Sequence, residues 1–250
     1  MRKFGLIGYP LGHSFSQKYF TSKFTEEKIS GCSYENFQLP SLDKFMDLVL
    51  SDSELCGLNV TIPYKTEILK YVDVADFIVK EIGAANVLKI KRKSGKTKIY
   101  AFNSDVTGIE NSILPVFPGR KGIALVLGPG GGSKAVTWTL KKMGFRVLTV
   151  SRTRKEGILD YEDINADLLR SISLVVNATP LGMFPDVEGM PDIDYSLLSR
   201  RHTLFDLVYN PEFTMFLKMG KERGCKIITG LKMLYSQAER SWEIWNDKNL

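Results

Sequence analysis

The hydrophobic positions in residues 1–106 follow two alternating spacings. Short apolar runs predict buried strands, and longer segments with an apolar residue every three or four positions predict helices that bury one face. The predicted strands are residues 3–7, 33–38, 55–62, 85–91 and 97–102. The predicted helices are residues 17–27, 41–51, 65–71 and 74–81. Pro63 should end the third strand, because proline has no N–H group for a ladder. This order of elements indicates an α/β domain.

From residue 107 onward, strands and helices alternate more regularly. The predicted strands are residues 122–127, 146–150, 174–177, 202–208 and 226–229. The predicted helices are residues 133–143, 161–170, 212–223 and 231–245. The run at 122–127 is continuously apolar, which is typical of a strand buried on both faces. The pattern predicts a second α/β domain of the Rossmann type, with a parallel sheet and helices on both faces.

A length of 250 residues suits two domains of ordinary size. We expect the first at residues 1–106, completed by the C-terminal helix at 231–250, and the second at residues 107–230. Lys and Arg exceed Asp and Glu by 34 to 28, and part of this excess lies between residues 89 and 98. We interpret that segment as a solvated hairpin. The alternative is a nucleic-acid patch, but no aromatic residue interleaves there for base stacking, so no nucleic-acid partner is predicted.

The cysteines and histidines do not form a metal-binding pattern. Cys32, Cys56 and Cys225 are far apart along the chain, and only His13 and His202 accompany them. The N-terminal apolar run breaks at residues 8–10 and is too short for a signal peptide, and no segment approaches a membrane span. We therefore expect a protein of the reducing cytoplasm, with no metal and no membrane association.

A glycine-rich turn joins the strand at 122–127 to the helix at 133–143. Its residues are Gly128, Pro129, Gly130, Gly131 and Gly132. Free N–H groups at such a helix start can bind phosphates, so the turn indicates a dinucleotide site; the alternative is a turn without a ligand. The residues that follow the next strand are Ser151, Arg152, Thr153 and Arg154. NAD enzymes place an acid there, whereas these guanidinium groups suit a 2′-phosphate, which indicates NADP and a redox enzyme.

Several polar residues of the first domain fall at strand ends or just after them. Strand alternation puts Asn59 and Thr61 on one face, which indicates either a polar ligand or an edge strand with one solvated face. The other polar positions are Ser14, Ser16, Lys65, Asn86 and Asp105. Each alone fits a turn, a helix cap or a surface charge. Together they suggest a site, because ligands bind at strand ends in open α/β sheets.

Nine motifs occur in an order that a known family shares. They are G-Y-P-L-G-H-S-F-S, N-V-T-I-P-Y-K, G-A-A-N, N-S-D-V-T-G, G-P-G-G-G-S-K-A, S-R-T-R, N-A-T-P-L-G-M, D-L-V-Y-N-P and G-L-K-M-L-Y-S-Q-A. In these motifs the chain resembles the shikimate dehydrogenase family, from Gly8 to the last helix. The resemblance implies reversible NADP-dependent reduction of 3-dehydroshikimate to shikimate, a step toward chorismate and the aromatic amino acids.

The resemblance also implies roles for individual residues. Ser14 and Ser16 would bind the substrate carboxylate, and Lys65 and Asp105 would form the catalytic pair. The residues that would hold the ring hydroxyls are Asn59, Thr61, Asn86, Asp105 and Gln237, with Tyr209 nearby. The residues that would contact NADP are those at 128–132 and 151–154, together with Asn177, Thr179, Leu207, Gly230 and Met233. For Met233 alone, core packing is the alternative.

Reducing a ketone requires a hydride at its carbon and a proton at its oxygen. A lysine carries a proton at neutral pH, so Lys65 could supply it, with Asp105 as a coupled partner. Which of the two is the base in oxidation stays open. The remaining alternatives are a dehydrogenase of quinate or an aminated analogue, an NAD-dependent relative, and a ligand-responsive homologue without catalysis. Both a monomer and a homodimer are compatible with the sequence.

Overall fold

The computed structural model describes residues 1–11, 14–119, 121–153 and 156–249. The chain forms two compact units, one made of Met1–Ser104 with Ala238–Leu250 and the other of Asp105–Gln237. Each unit has its own sheet and its own hydrophobic cluster. Within the described ranges, none of the helices combines the length and the apolarity that crossing a bilayer requires.

The first unit contains a mixed six-stranded sheet. Its strands are β1 (Arg2–Gly8), β2 (Cys32–Gln38), β3 (Leu55–Val60), β4 (Val74–Ala75), β5 (Val87–Lys93) and β6 (Lys96–Phe102). They lie in the order β2-β1-β3-β5-β6-β4, with β1 parallel to β2 and β3, and β5 antiparallel to β3 and β6. The helices are α1 (Phe15–Glu26), α2 (Phe45–Ser51) and α3 (Phe77–Ile82). The predicted hairpin is confirmed, and the segment predicted as one helix at 74–81 is a short strand followed by α3.

The two faces of this sheet bury different side chains. Ile7 lies in a mainly aliphatic cluster that includes residues of α2. Phe4, three positions earlier in β1, faces the other side of the sheet. It lies in an aromatic cluster and stacks on Trp245 with ring centroids 4.7 Å apart. Trp245 donates its indole N–H to the Leu88 carbonyl oxygen at 2.9 Å. A Cβ atom on Gly57 would lie 2.3 Å from the indole nitrogen, so glycine is required where the C-terminal segment packs on β3.

The second unit contains a five-stranded parallel sheet. Its strands are β7 (Ile123–Leu127), β8 (Arg146–Val150), β9 (Leu174–Asn177), β10 (Thr203–Asp206) and β11 (Lys226–Ile228). The helices are α4 (Asp105–Ile113), α5 (Gly131–Lys142), α6 (Ala166–Ser171), α7 (Met215–Glu222) and α8 (Gly230–Asn246), and the residues of α8 from Ala238 onward belong to the first unit. The strand order β11-β10-β9-β7-β8 is entirely parallel, which confirms the predicted Rossmann-type sheet. The helix predicted at 161–170 is a 3₁₀ turn at Tyr161–Asp163 followed by α6, which Asn165 caps.

The hydrophobic pattern did not predict α4. Its sequence, D-V-T-G-I-E-N-S-I, contains a glycine and several β-branched residues, which have low helix propensity. Tertiary packing stabilises the helix instead. Val106 and Ile109 are buried, and a Cβ atom on Gly108 would lie 2.6 Å from the carbonyl oxygen of Met233 in α8. Close approach of the α4 and α8 backbones therefore overrides the local preference.

The segment after β3 also differs from its prediction. The strand ends at Val60, two residues early, because the chain turns and the Tyr64 N–H donates to the Thr61 carbonyl oxygen at 2.9 Å. Ile62 is consequently 64% exposed. The helix predicted at 65–71 is a 3₁₀ helix at Glu67–Tyr71, which leaves Lys65 in the turn. The assigned strand therefore stops one residue before Thr61, and a shared face for Asn59 and Thr61 stays a prediction.

Candidate active site

One edge of the first unit's sheet collects most of the predicted substrate residues. The register pairs Ile7 with Val60, Asn59 with Val87, and Val87 with Phe102, so the ends of β1, β3 and β6 and the start of β5 meet there. The expectation that each of these polar residues lies at the end of a strand or just after it is wrong for Asn86, which immediately precedes β5. Because β5 runs antiparallel to β3, its first residue nevertheless lies at the same edge.

The two serines lie at the start of α1. Ser14 is the N-cap, and its Oγ accepts a hydrogen bond from the Gln17 N–H at 3.3 Å. Capping of this kind leaves the hydroxyl hydrogen of Ser14 able to donate to an anion. Ser16 lies in the first turn of α1, and its hydroxyl partly opposes the rise that burial causes in the pKa of Tyr34. Ser14 can therefore cap α1 and bind a substrate at the same time.

Asn59 and Asn86 belong to one buried hydrogen-bond network. Asn59 accepts from the Tyr34 hydroxyl at 2.8 Å and donates to Ser241 Oγ at 2.9 Å. Asn86 donates from Nδ2 to Ser104 Oγ at 3.0 Å and accepts from the Ser104 N–H at 2.7 Å. The two halves join where the hydroxyl oxygens of Ser104 and Ser241 lie 3.2 Å apart. The side chains of both asparagines are therefore rigidly held.

Backbone hydrogen bonds hold Thr61 and Lys65 at the same edge. The Thr61 N–H donates to the Ile7 carbonyl oxygen at 2.9 Å, which extends the β1–β3 pairing by one residue. The Lys65 carbonyl oxygen accepts from the Ala85 N–H at 2.7 Å, so Lys65 is anchored one residue away from Asn86. The structure thus brings together Lys65, Thr61, Asn59 and Asn86, which come from two separate motifs.

The remaining substrate candidates belong to the second unit. Asp105 is the first residue of α4 and is only 3% exposed. Met233 is buried against Gly108 of the same helix, as described above, and Gln237 follows one turn later in α8 and donates to the Leu234 carbonyl oxygen at 3.1 Å. Burial raises the pKa of Tyr209, so this phenol stays protonated at neutral pH. The packing of Met233 agrees with its core interpretation and does not test its cofactor role.

The carboxyl edge of the parallel sheet collects the predicted cofactor residues. The register aligns Leu127, Val150 and Asn177 at this edge, with Asp206 beside Asn177. β7 lies between β8 on one side and β9 on the other, and this reversal of strand order creates a crevice at which nucleotides bind.

Glycines allow the loops at this edge to approach closely. Gly128 has φ +101°, and a Cβ atom there would lie 2.8 Å from the Thr179 methyl carbon. A Cβ atom on Gly132 would lie 3.3 Å from Leu207 Cδ2, and one on Gly230 would lie 2.8 Å from the Leu207 carbonyl oxygen. Gly128 therefore adjoins Thr179, while Gly132 and Gly230 both adjoin Leu207.

The start of α5 suits a phosphate. Gly130 is the N-cap and provides no side-chain hydrogen bond, so the first N–H groups of this 12-residue helix have no side-chain acceptor from the cap. Pro129 and Gly130 are exposed, Gly131 is half-buried, and a Cβ atom on Gly130 would meet nothing within 4 Å. An uncapped helix start with an open approach is the arrangement that binds a dinucleotide pyrophosphate.

The end of β8 suits a second phosphate. Ser151 is buried and its Oγ accepts from the Thr153 N–H at 3.2 Å, while Arg152 and Thr153 are exposed. Burial raises the pKa of Tyr161, and the positive charge of Arg152 partly opposes this rise. Arg154 lies outside the described residues. Within those residues, no group of three His, Cys, Asp or Glu side chains is arranged to hold a metal ion.

A buried carboxylate that the motifs did not single out orders the loop after β9. Asp206 Oδ1 accepts from Asn177 Nδ2 at 3.0 Å and from the Val208 N–H at 2.9 Å, and Oδ2 accepts from the Thr214 hydroxyl at 2.5 Å. Asn177 Oδ1 in turn accepts from the Thr179 N–H at 3.1 Å. The sequence signal for Asp206 was its position in the motif D-L-V-Y-N-P, at the end of an apolar strand.

Asp206 should make stability depend on pH. Burial raises its pKa from 3.8 to about 6, against the opposing effect of the three hydrogen bonds. Between these values the folded protein retains a proton that the unfolded chain has released, so this group's contribution lowers the free energy of unfolding as pH rises. Asp206→Asn should remove up to about 3 kcal/mol of that dependence.

Urea unfolding at several pH values between 4 and 7.5 measures this effect. The variant should gain stability relative to the parent as pH increases. Asp167→Asn serves as the control, because the Asp167 side chain is 94% exposed. Identical pH dependence in the parent and Asp206→Asn would contradict the assignment.

Comparison with known proteins shows the family to which the chain belongs. The family model described as the shikimate dehydrogenase substrate binding domain matches residues 6–88. An NADP(+)-dependent shikimate dehydrogenase of Ignicoccus hospitalis is 39% identical over 97% of this chain and 92% of its own length. The crystal structure of shikimate dehydrogenase 1 from Peptoclostridium difficile has a TM-score of 0.84 and 34% identity, covering 100% of this chain and 93% of its own. The shikimate 5-dehydrogenase of Thermus thermophilus, in complex with NADP(H) and shikimate, has a TM-score of 0.85 and 29% identity over 98% and 94% of the two chains. The chain therefore belongs to the shikimate dehydrogenase family.

Proposed function

We propose that this protein is an NADP-dependent shikimate dehydrogenase that interconverts 3-dehydroshikimate and shikimate on the route to the aromatic amino acids. The observation that carries the proposal is the full-length similarity to NADP(+)-dependent enzymes, at 39% identity, in a chain that retains the motif residues at the strand edges described above. The solved relative that is in complex with NADP(H) and shikimate supports the same pair of ligands.

The first unit is proposed as the substrate-binding domain and the second as the NADP-binding domain. The substrate is small and anionic, so it offers little apolar area and needs many directed hydrogen bonds. None of the first-unit motifs contains an arginine, and the hydroxyls of Ser14 and Ser16 are proposed to receive the carboxylate. The residues proposed for the ring hydroxyls are Asn59, Thr61, Asn86, Asp105 and Gln237, with Tyr209 beside them.

The proposed chemistry divides the reduction between the cofactor and two side chains. NADPH supplies the hydride to the carbonyl carbon. Lys65 donates the proton to the developing alkoxide oxygen, because an ammonium group carries that proton at neutral pH. Asp105 is proposed to orient the Lys65 ammonium and the substrate. In the direction of oxidation the same pair takes up the hydroxyl proton.

NADP is proposed as the physiological cofactor. The start of α5 would receive the pyrophosphate, and Ser151, Arg152, Thr153 and Arg154 would receive the 2′-phosphate. Gly230 and Met233 would border the nicotinamide, and Asn177, Thr179 and Leu207 would line the cofactor path. The exposed guanidinium of Arg152, at a strand end without a carboxylate, supports NADP over NAD. A cytoplasmic location and a monomer or homodimer complete the proposal.

Steady-state kinetics test this function. We expect NADPH oxidation, followed by its absorbance, with 3-dehydroshikimate as substrate, at a kcat/KM at least tenfold above that with NADH. The same assay with 3-dehydroquinate distinguishes a quinate dehydrogenase. Absence of NADPH turnover with 3-dehydroshikimate at any pH between 6 and 10 would overturn the proposal and favour a non-catalytic ligand-responsive protein.

A further inference from the structure

The orientation of the Asn59 side-chain amide is fixed by its partners. Nδ2 lies 3.3 Å from the Asn86 carbonyl oxygen, which can only accept a hydrogen bond, so the NH₂ group and not the carbonyl must point there. The second amide hydrogen is donated to Ser241 Oγ at 2.9 Å. Both amide hydrogens of Asn59 are therefore used within the first unit.

The oxygen of the same amide has spare capacity. Asn59 Oδ1 accepts from the Tyr34 hydroxyl at 2.8 Å, and an amide oxygen accepts two hydrogen bonds. Asn59 can therefore offer a ligand one acceptor and no donor. A carboxylate or a carbonyl facing this side chain would be repelled, whereas a hydroxyl would be bound.

Two residues that the motifs did not assign to the site maintain this acceptor-only state of Asn59. Tyr34 is 5% exposed and stacks on Phe20 with ring centroids 4.6 Å apart, and Ser241 is fully buried in α8. Burial raises the pKa of Tyr34 far above its ordinary value, so its hydroxyl remains a hydrogen-bond donor at every pH used in the assay. Ser241 also lies 3.2 Å from Ser104 Oγ, the partner of Asn86.

We infer that Tyr34 and Ser241 are positioning residues that hold Asn59 as an acceptor-only group and so make it select a hydroxyl donor on the substrate ring. This inference rests on the proposed function, in which Asn59 binds a ring hydroxyl. Without Ser241, one buried amide hydrogen loses its acceptor and the amide loses one of its three anchors. A full flip of the amide is still opposed, because it would place Oδ1 against the Asn86 carbonyl oxygen. The variant should therefore bind the hydroxyl less well rather than reverse its preference.

The test compares Ser241→Ala and Tyr34→Phe with the parent on three substrates. These are 3-dehydroshikimate and its two analogues that each lack one ring hydroxyl. Each variant should lower kcat/KM for 3-dehydroshikimate about tenfold, mainly through KM, which corresponds to one disturbed buried hydrogen bond. The penalty should be smallest with the one analogue that lacks the hydroxyl facing Asn59, and KM for NADPH should stay unchanged. A purely structural effect would lower activity on all three substrates equally.

Ser112→Ala is the matched control. Ser112 is a buried helical serine whose hydroxyl donates to the Gly108 carbonyl oxygen at 2.7 Å within α4, and its variant should show no substrate-dependent penalty. Melting temperatures of all variants establish that they fold. If Ser241→Ala does not fold, the test is made with Tyr34→Phe alone. An equal penalty on all three substrates, or none, overturns the inference while the proposed function stands. Failure of the parent protein to reduce 3-dehydroshikimate overturns both.

Discussion

Replacing Lys65 with methionine is expected to lower kcat for 3-dehydroshikimate reduction about a thousandfold, because a positioned proton donor contributes on the order of 10²- to 10⁴-fold. Methionine keeps the length of the side chain but carries no proton to transfer. The Lys65 backbone should stay in place, since its carbonyl oxygen is held by the Ala85 N–H at 2.7 Å. KM for NADPH should change little, because the cofactor contacts are proposed to lie in the second unit.

Lys70→Met provides the control for this prediction. The Lys70 side chain is 74% exposed and its nearest carboxylate oxygen, on Glu67, is 3.9 Å away. The substitution removes the same charge from the neighbouring 3₁₀ helix and should leave kcat unchanged. Retention of more than half of the parent kcat by Lys65→Met would remove Lys65 from the proposed chemistry.

Replacing Arg152 with alanine is expected to raise KM for NADPH roughly 10- to 100-fold, which is the range for loss of one charge-assisted hydrogen bond to phosphate. Kinetic constants with NADH should stay within twofold of the parent, because NADH lacks the 2′-phosphate. The expected result is a change of cofactor preference with little loss of stability, since Arg152 is exposed.

Arg170→Ala tests whether this effect is specific. Arg170 is an exposed arginine of α6 that pairs with Asp167 at 3.0 Å, and its removal changes the net charge by the same amount. Arg170→Ala should leave the kinetic constants with NADPH and with NADH unchanged. Equal losses with NADPH and NADH in Arg152→Ala would contradict the assignment of Arg152 to the 2′-phosphate.

The cofactor site at the carboxyl edge of the parallel sheet was largely predictable, because its sequence signals are local. A continuous apolar run, a glycine turn and a helix follow one another within about twenty residues, and the parallel sheet confirms what that order implies. The contacts of Gly128 with Thr179 and of Gly132 with Leu207 were not predictable, because they depend on how loops from separate strands meet.

The substrate site at the edge of the first unit's sheet was only partly predictable, because some of its contacts join residues far apart in the sequence. The motifs marked Asn59 and Asn86, but the hydroxyl that receives the Asn59 amide, on Ser241, lies 182 residues further along the chain. A serine within an amphipathic helix has no sequence signal that distinguishes such a role from ordinary burial. Helix α4 was missed because packing against Met233, and not propensity, stabilises it.

Transfer of deuterium from [4,4-²H₂]NADPH to 3-dehydroshikimate tests the central claim most directly. Mass spectrometry of the product after a single turnover should show shikimate one mass unit heavier than the product from unlabelled NADPH, with no label in the remaining substrate. Unlabelled shikimate, or recovery of 3-dehydroshikimate alone, would contradict the account.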